Sequence, residues 1–133
     1  MNYQSIAEIY AANDKIRERL ISLVEDLSPA DAELRADAES WTIRELVEHI
    51  ALVENGMAKI SAKLLAQAEA AKAETDGAVK IGANFLQRAG EMRTQKFKAP
   101  DRVAPTGSQT LAESLQKLAE NRKLLEDLRA RFE

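Results

Sequence analysis

The 133-residue sequence predicts an all-α fold, a helical bundle with three long helices and a long crossover before the third. Three observations predict it. Apolar residues recur at steps of three and four along three stretches, the spacing that lines one face of a helix. Two of those stretches open on a hydroxyl residue followed three positions later by glutamate, the capping-box signature. No segment alternates apolar and polar residues with the period of a strand, and nothing repeats at a fixed period.

The first helix is expected over Tyr3 to Leu27, with Ile6, Ile9, Tyr10, Ile16, Leu20, Leu23, Val24 and Leu27 as its stripe. Ser28-Pro29-Ala30-Asp31 reads as a new helix start: serine caps, proline suits the first helical position, and the acid suits the first turn. The second long helix starts at Thr42, where Thr42 and Glu45 have capping-box spacing. Leu46, Ile50, Val53, Met57, Ile60 and Leu64 form its stripe, and the alanine-rich Ala66 to Ala73 prolongs it toward Gly77 and Gly82. From Thr75 to Gly107 the pattern loosens, and glycines and prolines mark a crossover, with Phe85-Leu86 able to anchor a short helix. Thr110 and Glu113 form the second capping box. The helix they open carries Leu111, Leu115, Leu118, Leu125 and Phe132. The short connection between the first and second long helices makes them antiparallel neighbours. Three such helices leave an apolar face bare. The expected cover is a fourth helix beyond Glu133 or another chain, so residues 1–133 read as one domain with an incomplete C-terminal side.

Composition narrows the function classes. A hydrophobic fraction of 45% with 31% charged residues fits a soluble globular domain. The net charge of −3 offers no attraction to nucleic acid or to an anionic membrane. Cysteine is absent, which removes disulfides, thiolate metal clusters and a cysteine nucleophile. No apolar run approaches the roughly 20 residues that span a bilayer. The N-terminus has no signal-peptide pattern, so a cytoplasmic location is expected. Phosphate-loop, dinucleotide, nucleophile-elbow and zinc-protease motifs are all missing.

His49 is the single histidine and falls at the edge of the second helix's stripe. It reads either as a metal ligand pointing into the bundle or, more commonly, as a boundary histidine bonded to a carboxylate or carbonyl. Glu45, one turn earlier, could share a metal but is already accounted for as the capping acid. Glu54 reads as a solvated acid. Asn13 and Arg122 fall inside the stripes of the first and third helices, and a buried arginine needs a carboxylate partner. Asn13, His49 and Arg122 could share a polar cavity. The plainer alternative has Asn13 setting helix register while Arg122 extends to the surface. Trp41 reads as core packing at the helix entry. Arg93, Lys96, Lys98 and Arg102 around Phe97 make a weak anion patch, too small for nucleic acid.

The segment Trp41-Thr42-Ile43-Arg44-Glu45-Leu46-Val47-Glu48-His49-Ile50-Ala51-Leu52-Val53-Glu54 resembles the DinB/YfiT-like four-helix-bundle family. So does the proline-containing link from Pro100 into the helix bearing Leu111, Leu115, Leu118, Arg122, Leu125 and Leu128. The resemblance implies a bundle with a crossover after the second helix. It also implies, for many members, a divalent metal, zinc or nickel, held by three histidines. His49 matches the one on the second helix. The other two lie on the fourth helix with H-x-x-x-H spacing and have no counterpart here. Family activities include metal-dependent hydrolysis and transfer of low-molecular-weight thiols.

Two expectations about function follow. In one, His49 is part of the metal site of a hydrolase or thiol transferase, with zinc or nickel bound if the missing ligands are supplied; the catalytic residues are not identified. In the other, the chain is a non-catalytic bundle that forms a homodimer through its uncovered face, or binds a small molecule without metal.

Overall fold

The computed structural model describes residues 3–74, 78–92 and 94–132. Its elements in order are α1 (Ile6–Val24), α2 (Pro29–Ala32), α3 (Ile43–Ala70), α4 (Ala83–Met92), a 3-10 turn (Asp101–Val103) and α5 (Leu111–Phe132). The described residues form an all-helical fold, as the apolar spacing predicts.

Each long helix begins where a hydroxyl can satisfy free amides. Ser5 caps α1 by accepting from the Glu8 amide. Thr42 and Glu45 form a complete capping box at α3, and Thr42 is buried. At α5 the Glu113 amide donates to Thr110 Oγ1 at 3.1 Å, and the Thr110 amide donates to the Glu113 carboxylate at 2.7 Å. Ser28 and Pro29 start α2 in the positions their chemistry suits. α1 is shorter at both ends than the expected Tyr3 to Leu27, because Ser5 sets its start and the chain turns after Glu25 toward Ser28. α3 stops at Ala70, and Lys72 takes a left-handed conformation with φ of 50°. The alanines to Ala73 therefore do not extend the helix fully, and Gly77 lies outside the described residues.

The cross-helix bonds fix the directions. Tyr10 pairs with Leu125, Asp14 with Arg122, and Arg17 with Leu118, so α1 runs antiparallel to α5. Arg44 meets Gln109, Asn55 meets Asn121, and Glu69 meets Arg131, so α3 and α5 run parallel. Parallel helices at one end of a bundle require a return segment, and residues 71–110 supply it with α4 inside. The helix that Phe85-Leu86 could anchor therefore exists, though no α4 residue is buried.

The core sits where α3 and α5 face each other and α1 closes over them. Val24, Val47, Ala51 and Leu118 are its centre, with Leu20, Leu27, Ile43, Ile50, Leu111 and Leu115 packed around them. Ala51 and Ala58 let α5 approach α3 closely, since small side chains shorten the interaxial distance. α1 leans mainly on α5 and meets α3 through an Arg17–Glu54 ion pair. The apolar stripes are thus only half used. Ile16 and Leu23 of α1 are 68% and 65% exposed, and Met57 and Leu64 of α3 are 60% and 59% exposed.

Candidate functional site

Two polar regions on the bundle could carry function, and they are separate. The first surrounds His49. Its Nδ1 lies 2.7 Å from the Val103 carbonyl oxygen, which can only accept, so Nδ1 carries a proton and Nε2 is the nitrogen left without that contact. The ring leans on Trp41 with centroids 4.8 Å apart, and Trp41 remains partly exposed instead of packing in the core. The crossover therefore reaches α3 at this histidine.

The acids beside His49 are engaged. Glu45 accepts from the Thr42 amide in the capping box. Glu48 is 3% exposed, and its carboxylate takes the Thr106 amide and hydroxyl at 2.7 Å each and the Gly107 amide at 3.2 Å. Three donors offset the cost of burying that charge. Gly107 has φ of 74°, a conformation that favours glycine and turns its amide toward Glu48. Arg44 adds a second tie, donating to the Gly107 and Gln109 carbonyls at 2.8 and 2.9 Å while pairing with Glu33. The Arg44 hydrogen bond, ahead of the Arg44 and Arg35 charges, holds the Glu33 carboxyl below its ordinary range. Among the described residues no group of three histidine, cysteine or acidic side chains could hold a metal ion. The residues present do not fit the metal that the family resemblance implies.

The second region is the groove between α1, α3 and α5, about 460 Å³ in volume. Asn13 and Arg122 both line it, while His49 does not, so the three polar residues do not share one cavity. Apolar walls come from Ile9, Ile16, Leu20 and Met57. Arg122 donates to Asp14 through Nε at 2.6 Å and Nη2 at 2.9 Å, and to Glu126 at 2.7 Å. The Asp14 hydrogen bond, ahead of the Glu126 bond, raises its pKa above the ordinary arginine value. Its guanidinium also lies 5.5 Å from the Tyr10 ring centroid. Glu54 is not the solvated acid its position suggested, because Arg17 from α1 reaches it across the groove.

Several structural polar residues give little sign in the sequence. Asn121 is fully buried, donates to the Ala51 carbonyl at 2.9 Å and accepts from Asn55 at 2.9 Å. The Ser114 hydroxyl is buried and finds no partner among the described residues. Glu48 is betrayed only by the Thr106-Gly107-Ser108 turn that it binds. The basic patch stays a loose surface feature: Lys96, Lys98, Arg102 and Phe97 are all exposed, and Arg93 lies outside the described residues.

Three long helices, two of them parallel, with a helical crossover anchored at a single histidine, define the class of protein. The sequence pattern of the DinB superfamily matches residues 12–133, and the chain belongs to that superfamily. No curated protein and no solved structure matches it. No helix among the described residues is long and apolar enough to cross a membrane.

Proposed function

We propose that this DinB-superfamily chain works as a non-catalytic cytoplasmic bundle that self-associates as a homodimer. The observation that carries the reading is the exposed apolar face of α1 beside the groove, where Ile16 and Leu23 stand more than half open. Exposed apolar side chains two helical turns apart on one face suit an association surface, because water is released when two such faces meet. The acids around His49 support the same reading, since each is engaged in holding backbone. The chain alone weighs 14.7 kDa, and a homodimer has a solution mass near twice that value. Sedimentation of the wild type and of an Ile16→Glu, Leu23→Glu variant tests it. The variant should be monomeric and folded, and a wild type that stays monomeric at high concentration sinks the reading.

A second reading keeps His49 as a ligand of zinc or nickel in a metal-dependent hydrolase or thiol transferase, with the other ligands supplied from outside the described residues. One observation favours it: a backbone carbonyl on Nδ1 is the usual orienting contact of a metal-bound histidine and leaves Nε2 available. Stoichiometric metal in the purified protein, lost in His49→Ala, would support this reading. Metal at background level in a folded wild type would end it.

A further inference from the structure

α4 raises a physical problem that the rest of the fold answers. It has ten residues, includes Gly90 and buries none of its side chains. Isolated helices shorter than about 12–15 residues are marginal in water, and an internal glycine costs about 1 kcal/mol more. A helix this short persists when a surface holds it.

Its own surface specifies what that partner must be. Phe85, Ala89 and Met92 follow one another at steps of four and three, with Leu86 beside them. Asn84, Gln87, Arg88 and Glu91 occupy the remaining faces. Such a narrow seam fits one matching seam on another helix. The outer face of α3 carries one: Val53, Met57, Ile60 and Leu64 follow at steps of four, three and four, and all four are exposed.

Both seams stand open in the structure, and the course of the crossover allows them to meet. Val103, at the end of the 3-10 turn, is fastened to His49, one helical turn before Val53. Around the α3 axis, His49 lies next to the Val53–Ile60 edge at 100° per residue. The chain entering that anchor therefore arrives on the side where the α3 seam is open. Eight residues separate Met92 from Asp101, and twelve separate Ala70 from Ala83. At up to about 3.3 Å per residue these links reach roughly 26 and 40 Å, ample for α4 to lie along α3 in the opposite direction.

We infer that α4 is a strap that seats antiparallel on the outer stripe of α3, with Phe85, Ala89 and Met92 against Val53, Met57, Ile60 and Leu64. The seated strap supplies a fourth helix from within the chain. It hides the α3 half of the apolar surface and leaves the α1 half, Ile16 and Leu23, for a second copy. The strap does not depend on self-association and holds equally for a monomer.

The absence of native cysteine makes the test direct. One variant carries Met57→Cys and Ala89→Cys, and a control carries Met57→Cys and Gln87→Cys on the opposite face of α4. Both are oxidised mildly in dilute solution, with helix content checked by circular dichroism. A disulfide needs Cβ atoms about 4 Å apart, so the first pair should close at least about tenfold faster than the control, in a product of monomer mass. Equal rates for the two pairs would overturn the strap, because they describe a helix with no preferred face. A disulfide formed only between two chains would also overturn it, and would assign the α3 stripe to a second copy. Hydrogen exchange of the unmodified protein adds an independent readout. Slowed α4 amides that become fast in Phe85→Asp, Met92→Asp, with α3 and α5 unchanged, are expected. Unprotected α4 amides in the wild type would contradict the inference.

Discussion

Asn121 has no exposed surface, and its amide is used twice, once on the Ala51 carbonyl and once with Asn55. These bonds tie the middle of α5 to α3 at a fixed register. Asn121→Ala removes both and leaves Asn55 to find a new partner, so a loss of about 1–3 kcal/mol is expected in urea unfolding. A loss under a few tenths would show that water replaces the amide fully. The residue was not legible as a core position. Apolar periodicity finds Leu118 but passes over Asn121 and Ser114, because burial of a polar side chain depends on a partner from another helix. The same blindness applies to Glu54, whose partner Arg17 lies far away in the chain. Glu69 shows the reverse case, where a charge pair at the surface reports on a helix end. Its carboxyl is held below the ordinary range, first by the hydrogen bond from Arg131. A depressed carboxylate contributes stability above its unfolded pKa, near 4.3, and loses it as the pH falls through the lower folded value. The ends of α3 and α5 should therefore loosen together below about pH 4, which amide exchange across acid pH can follow.

At the scale of elements, the helix starts were the most legible part of the sequence. Thr42 with Glu45 and Thr110 with Glu113 are local arrangements, complete within four residues, so neighbouring chain alone determines them. The tie between α3 and the end of the crossover was not legible, since Glu48 and Thr106 are far apart in sequence. That tie has a measurable weight. Glu48→Ala frees the amides of Thr106 and Gly107 and removes a charged acceptor, and hydrogen bonds to charged groups contribute about 1.5–3 kcal/mol. The expected result is a loss of that order, with fast exchange of the Thr106 and Gly107 amides while the Asn121 contacts persist. Glu48→Gln should recover only part of the loss, because its amide group has one acceptor oxygen for three donors. An unaffected turn in Glu48→Ala would mean that Arg44 alone holds it.

For the whole molecule, the all-helical class and the long crossover follow from helix spacing and glycine and proline placement. The short connection correctly implied an antiparallel α1, but not that α1 would lean toward α5. That tilt depends on Tyr10, Asp14 and Arg17, polar groups that reach α5 and pull the helix across. The result is an open groove where a symmetric bundle would be filled. His49 illustrates the limit on the functional side. Its place on α3 could be read from the stripe, whereas its bond to Val103 needed the crossover to return to the same end.

The parallel course of α3 and α5 has a consequence for how the chain survives cutting. The principal helix pair is joined by a 40-residue crossover but held together by the core and by the Glu48, Asn55 and Glu69 contacts. Continuity of the backbone through the crossover is worth only a loop-closure entropy, which changes by about 0.6 kcal/mol for each doubling of length. Lys72 is exposed in a left-handed turn just past α3, a natural point for limited trypsin cleavage. The two fragments should remain associated and helical after that single nick, co-eluting at the mass of the uncut species. If they separate at once, the α3–α5 interface cannot stand without its connecting chain. If they stay paired, the two fragments can serve as a split protein that reassembles from separately produced halves.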